Sequence, residues 1–239
     1  MGMLEIKHFT KIYGGGKKAA DDISLTVEPG DIFGFIGHNG AGKSTTIRAA
    51  VGVLDFTEGD ILIDGHSVKK EPIECKKITA YIPDNPDIYD NLTGMQYLNF
   101  IADVFEIGVQ DREERIEKYA AVFEITEALT EPISSYSHGM KQKVAIISAL
   151  IHEPKLLVLD EPFVGLDPKA TFTLKEIMRE MCKNGSAVFF STHVLDVAEK
   201  LCNKVAIIKQ GKLVASGTME ELVDKQSLEE VFLEVIDEK

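Results

Sequence analysis

Residues 37–44 read Gly37-His38-Asn39-Gly40-Ala41-Gly42-Lys43-Ser44, which fits the pattern G-x-x-x-x-G-K-[ST]. The flanks give the pattern its weight. Upstream, Asp31–Ile36 is a short apolar run of strand type; downstream, Thr45–Val51 opens as a helix. A strand, a glycine-rich turn and a helix start in succession are the setting in which this loop cradles phosphate. The glycines let backbone N–H groups turn inward. The helix start adds its unpaired N–H groups and the positive end of its dipole. On this reading Lys43 reaches the β- and γ-phosphates and Ser44 holds a magnesium ion, with Gly37, His38, Asn39, Gly40, Ala41, Gly42 and Thr45 completing the cofactor-binding set.

The bulk composition limits what such a loop can serve. The chain has 239 residues, 44% hydrophobic and 27% charged, enough for one large α/β domain with a real core. Its net charge of −13 argues against a general nucleic-acid binder, because polyphosphate backbones are repelled. Cys75, Cys182 and Cys202 show no C-x-x-C pairing and no adjacent histidines, so they are expected as reduced thiols in the core. The start, Met1-Gly-Met-Leu-Glu-Ile-Lys7, lacks an apolar secretory run, and no uncharged stretch approaches the length of a membrane span. The expectation is a chain that neither crosses a membrane alone nor enters the secretory route.

Short β-rich runs recur at Leu4–Phe9, Ile23–Val27, Asp31–Ile36, Asp60–Ile63 and Thr79–Ile82, then at Leu156–Leu159, Ala187–Ser191, Val205–Lys209 and Lys212–Ser216. The early runs are punctuated by Gly, Asp and Pro turns, which reads as an antiparallel corner feeding a central sheet. Lys155–Asp160 and Ser186–Ser191 are continuously apolar, as strands of a parallel core are. From about Thr93 to His152 the spacing turns helical: Thr93 and Gln96 form a capping box, and Ile116, Tyr119, Ala120 and Phe123 fall on one face, as do Val144, Ile147 and Ile151. Two further capping boxes start at Thr218 and Ser227. The fold class expected is α/β: a phosphate-loop NTPase core with a parallel central sheet, an N-terminal antiparallel β-subdomain and an inserted helical subdomain. The boundaries expected are 1–84 and 153–217 for the core, 85–152 for the helical insert and 218–239 for a helical tail.

Other residues carry chemistry beyond the loop. Leu156-Leu-Val-Leu-Asp160-Glu161-Pro162 is an apolar strand ending in two carboxylates. Asp160 is placed to orient magnesium through a water, and Glu161 to polarise an attacking water as general base; the competing reading is a solvated acidic turn. In Ser191-Thr192-His193, the histidine can contact a γ-phosphate and align Glu161, or the segment is simply a helix start capped by Ser191 or Thr192. Ser137 and Gly139 precede a helix and can offer hydroxyl and N–H groups to an anion, or serve as an ordinary cap. Tyr13 can stack on a base or sit as a surface tyrosine in a hairpin.

Taken in order, these pieces resemble the ATP-binding cassette (ABC) ATPase, from about Leu4 to the end of the chain. GHNGAGKST resembles its Walker A motif, LLVLDEP its Walker B motif, Tyr136-Ser-His-Gly-Met-Lys-Gln-Lys143 its signature, Gly165-Leu-Asp167 its D-loop, His193 its switch histidine and Tyr13 its adenine-stacking aromatic. The resemblance implies ATP and Mg2+ as cofactors and a head-to-tail pair of cassettes, with Ser137 and Gly139 serving the partner's nucleotide. It also implies a separate integral membrane permease and a place on the cytoplasmic face of the cell membrane. Two positions depart from the common pattern: the signature reads YSHGM, and Asp84 in Tyr81-Ile-Pro-Asp84 stands where most members carry glutamine. Asp84 can still bind magnesium through oxygen but lacks the amide and is shorter. The signature form, Asn91-Leu-Thr93 and Ser227–Leu233 resemble bacterial exporter-type subunits. A soluble non-transport cassette and a nucleotide-sensing module with little turnover remain as alternatives.

Overall fold

The computed structural model of the chain describes residues 2–223 and 226–237. Met1, Asp224, Lys225, Glu238 and Lys239 lie outside the described residues, so the expected chain start and the 218–239 tail are covered only in part. The order begins β1 (Leu4–Ile12), β2 (Lys18–Val27), β3 (Ile32–Ile36), α1 (Lys43–Ala50), β4 (Glu58–Ile63), β5 (His66–Ser67), α2 (Pro72–Lys77) and β6 (Thr79–Ile82). Three helices follow: α3 (Gly94–Val104), α4 (Val109–Val122) and α5 (His138–Leu150). The chain then returns through β7 (Leu156–Asp160), α6 (Pro168–Lys183), β8 (Ala187–Thr192), α7 (Leu195–Leu201), β9 (Lys204–Lys209), β10 (Lys212–Thr218), α8 (Met219–Leu222) and α9 (Leu228–Asp237).

Among the described residues the strands form two sheets. One is antiparallel, in the order β2-β1-β4-β5. The other runs β10-β9-β3-β8-β7-β6, parallel throughout except for its edge strand β10, which pairs antiparallel to β9. The parallel strands β3, β7 and β8 are buried at every position, which accounts for their unbroken apolar sequence. Alternation still divides their side chains between two cores, as the pleat requires. Leu156, Val158, Ala187 and Phe189 join β1, β2 and α1 in one cluster, whereas Leu157, Leu159, Val188 and Phe190 join the helices in the other.

The helical segment has no separate core. Leu98 of α3, Ile116 and Ala120 of α4, and Val144 and Ile147 of α5 belong to the same cluster as Leu157, Leu159 and Phe190 of the sheet. The Thr93–Gln96 capping box starts α3, and a matching box at Thr218 starts α8. Ser227 and Glu230 bond reciprocally at the start of α9. Strand β2 begins at Lys18, five residues before the expected Ile23, because its polar first half pairs with β1 through irregular register rather than through an apolar face. The two-residue β5 and the short α2 escaped the periodicity reading because neither is long enough to show a period. The three cysteines are free and buried, and burial pushes the Cys182 thiol up to about 12. Among the described residues no helix is long and apolar enough to cross a membrane.

Just after α5, the His152 ring stacks on Phe105 at 3.7 Å and an interplanar angle of 10°. Both ring nitrogens are buried without a hydrogen-bond partner. Desolvation, assisted by nearby Arg115, pulls the imidazole down from the usual 6.5 to about 4, and the Thr79 backbone opposes this only in part.

Two outcomes test this packing. Phe189 is fully buried against Phe33 and Phe35, so Phe189→Ala should cost about 3–5 kcal/mol in urea unfolding, whereas Phe172→Ala, 64% exposed, should stay within about 0.5 kcal/mol. His152 binds its proton more weakly folded than unfolded, so its contribution is complete above the unfolded value of about 6.5 and is lost as pH falls toward 4. The parent should lose about 2–3 kcal/mol across that window from this group, and His152→Phe should show a shallower acid decline in the same unfolding series.

Candidate functional site

Strand β3 delivers the chain to the loop, and the loop's shape is set by what crowds it. A Cβ on Gly37 would lie 2.6 Å from the Ile208 carbonyl oxygen. A Cβ on Gly42, where φ is +115°, would lie 2.3 Å from the Ala19 carbonyl oxygen. Only glycine fits at either place. Helix α1 then starts at Lys43 with no side-chain cap and no acidic residue in its first turn. Its first N–H groups therefore remain a receptor for an anion. Lys43 is only 6% exposed, and its ammonium donates to the Gly37 carbonyl at 2.7 Å and the His38 carbonyl at 3.4 Å.

A cavity of about 630 Å³ opens over this loop. Asn39, Gly40, Gly42, Lys43, Ser44 and Thr45 line it from below, Tyr13, Gly14, Lys17, Lys18 and Ala19 from the antiparallel sheet, and Asp84, Glu161, Gln210 and Gly211 from the remaining sides. The volume suits a ligand of nucleotide size. Gly37, His38 and Ala41 shape the loop without lining the cavity. The His38 ring packs edge-on against Phe232 of α9 at 4.9 Å, and Ala41 accepts a backbone hydrogen bond from Gly211 at 2.8 Å. A second cavity of about 650 Å³ between α4 and α6 contains none of the loop residues.

The two acids behave differently. Asp160 ends β7 fully buried; its Oδ1 accepts from the Ser191 hydroxyl at 2.5 Å, and its Oδ2 has no partner. Glu161 follows with φ +48°, a left-handed turn that takes its side chain out of the strand. Its Oε1 lies 3.4 Å from the Lys43 ammonium and 2.9 Å from His193 Nδ1. Neither contact is aligned as a hydrogen bond, so they are close electrostatic approaches, and the oxygen keeps its accepting capacity. Ser191 was not among the expected site residues. A serine at a strand end reads as a helix cap, but neither Ser191 nor Thr192 caps α7, which starts after Val194 without a side-chain cap; the Thr192 hydroxyl only accepts from the Val194 N–H at 3.0 Å, ahead of the helix. Lys17, Lys18 and Gln210 were also missed, because they reach the cavity only through the meeting of the two sheets.

The arrangement fits a magnesium nucleotide on its own donor set. The loop amides and Lys43 suit phosphate oxygens, while a buried, unpartnered carboxylate oxygen on Asp160 and the Ser44 and Asp84 oxygens suit a hard divalent cation. Tyr13, 42% exposed at the hairpin between β1 and β2, lines the cavity, with the Lys11 ammonium over its ring at 5.2 Å from the centre.

Ser137 and Gly139 do not join this cavity. Ser137 caps α5, its hydroxyl accepting from the Met140 N–H at 3.2 Å. A Cβ on Gly139 would lie 2.8 Å from the Gly165 carbonyl oxygen, and one on Gly165 only 2.4 Å from the His138 ring. Lys143 of the same helix pairs with Asp167 at 2.8 Å and holds that carboxyl below the usual carboxylate range.

The family model described as ABC transporter matches residues 20–164. The chain is 37% identical over 243 aligned positions to the ABC-type transporter ATP-binding protein EcsA of Bacillus subtilis strain 168, covering 100% of this chain and 98% of that one. It is 32% identical to the linearmycin resistance ATP-binding protein LnrL of the same organism, covering 93% and 71%. The solved structure of an ATP-binding subunit of an ABC transporter superposes with a TM-score of 0.93 at 34% identity, over 98% of this chain and 99% of that one. CbiO1 from Clostridium perfringens, part of the ABC transporter complex cbiONQ, gives 0.79 at 26% identity over 94% and 91%. With the phosphate loop and Glu161 lining one cavity, His193 against Glu161 and a fold shared with these relatives, the chain belongs to the ABC transporter family, as an ATP-binding ATPase subunit.

Proposed function

We propose that this subunit powers export through a separate integral membrane permease, pairing with a second ATPase subunit around bound ATP at the inner face of the cell membrane. The observation that carries the proposal is a division of the machinery. The loop and Glu161 line one cleft, with His193 2.9 Å from Glu161 and Asp160 buried at the end of β7, while Ser137 and Gly139 stand outside that cleft at the start of α5. A second cassette presenting its own Ser137 and Gly139 would complete the cleft, so that ATP joins the pair and its loss releases it.

Within the cleft, Tyr13 stacks on the adenine, the amides of residues 37–45 and Lys43 hold the phosphates, and His193 steadies Glu161. Glu161 takes the proton of the attacking water. Ser44, Asp160 and Asp84 would hold magnesium, which when bound supplies screening of phosphate charge. We assign 1–84 and 153–217 to the nucleotide core, 85–152 to the helical insert and 218–239 to the tail.

Docking on the permease fits the surface near 84–91. Tyr89 is exposed and packs edge-on to Tyr97 at 6.2 Å and Phe100 at 5.8 Å, with Met95 exposed nearby. An apolar patch of this kind at the edge of the insert suits a protein partner. Outward transport draws support from the resistance role in the name of one relative, and a separate membrane partner from the assembly of another into a transporter complex.

Glu161→Gln should lower phosphate release by roughly 10²–10⁴-fold and accumulate ATP-bound dimers in light scattering; turnover at the parent's rate sinks the base assignment. Gly42→Ala should abolish ATP binding in titration calorimetry, because its Cβ meets the Ala19 carbonyl in a left-handed backbone position.

A further inference from the structure

Ser191 lies opposite Asp160 in the parallel register of β7 and β8, and both residues are fully buried. Its hydroxyl oxygen is 2.5 Å from Asp160 Oδ1 and 3.1 Å from the Glu161 backbone nitrogen. A serine hydroxyl has one proton to give. The Glu161 amide can only donate, so the oxygen accepts there. With Asp160 ionised, the proton is committed to Oδ1.

Two consequences follow for the acids. Asp160 spends Oδ1 on the serine, and Oδ2 is left as its one unpartnered oxygen. Glu161 has its N–H shared between the Ser191 hydroxyl and the Ser191 carbonyl, the latter at 3.2 Å. That double anchor sits on a residue whose φ of +48° is disfavoured for any side chain other than glycine. Packing does not call for a hydroxyl here: the neighbours in register are Phe35 on β3 and Asp160 on β7, and only Asp160 is polar.

We propose that Ser191 is a positioning residue for the magnesium-dependent reaction: one hydroxyl selects which oxygen of Asp160 remains for a divalent cation and anchors the left-handed turn that brings Glu161 to Lys43 and His193. The inference rests on the magnesium-nucleotide reading of the cleft. Without the hydroxyl, Asp160 can rotate between equivalent oxygens, and the Glu161 turn keeps only its backbone anchor. Loss should therefore appear first in the metal, not in the grip of the loop on phosphate.

The test uses the full chain with Ser191→Ala, Ser191→Cys and Ser191→Thr. Mn2+ affinity is read from the free-ion paramagnetic resonance signal in the presence of a non-hydrolysable ATP analogue, and the Mg2+ dependence of phosphate release is followed in parallel. Ala and Cys should weaken Mn2+ roughly tenfold or more and raise the Mg2+ requirement by a similar factor. Their affinity for metal-free nucleotide should stay unchanged, and Thr should recover Mn2+ affinity. The Cys variant, close to serine in volume, carries the comparison where Ala unfolds the chain. A variant that binds metal-free nucleotide and Mn2+ as the parent does overturns the proposal. If instead Lys43→Ala binds nucleotide as tightly as the parent, the reading of the cleft itself is at fault.

Discussion

The phosphate loop is held where three separate segments lock together. The Ala41 carbonyl accepts from Gly211 N–H at 2.8 Å, and the Gly211 carbonyl accepts from Asp21 N–H at 2.8 Å. At the same place Gly42 passes so close to the Ala19 carbonyl that a Cβ has no room. One strand of the antiparallel sheet, the loop, and the turn joining β9 to β10 thus share a single junction. The cavity exists because of it: Tyr13, Lys17 and Gln210 reach the loop only while that junction holds.

Electrostatics then sorts the site from the rest of the surface. A chain of net charge −13 places Lys17, Lys18 and Lys43 around one cavity that only Asp84 and Glu161 line with negative charge, so the cavity lacks the acidic excess of the chain as a whole. A buried ammonium needs partners. Lys43 finds two backbone carbonyls and, at 3.4 Å, the Glu161 carboxylate. The acids are separated by geometry: Asp160 is locked in the sheet through Ser191, and Glu161 is turned out of it toward Lys43 and His193.

The helical insert is tied to the nucleotide core at two levels. Its apolar faces complete the core of the central sheet instead of building one of their own. At the surface, the His138 ring lies over Gly165 while Lys143 pairs with Asp167, so the start of α5 and the segment before α6 form one contact. The bulk of His138 is matched by the absence of a side chain at Gly165.

Much of this was legible in the chain itself. The parallel strands declare themselves because burial on both faces demands unbroken apolar runs. The phosphate loop does so because close backbone approach demands glycine, and α3 because a capping box leaves a local signature. Glu161 and Asp160 were readable as a pair at a strand end, since both lie within one short segment. The sequence also carried the family resemblance, because the motifs stand in one order along it. Tertiary structure alone decided which segments meet: that Ser191, thirty-one residues away, takes one oxygen of Asp160; that Lys17 and Gln210 share a cavity with the loop; and that Ser137 stays outside it. Spacing encodes what a residue can do with its near neighbours. Contacts across strands depend on register and sheet order, which arise only when the two cores close.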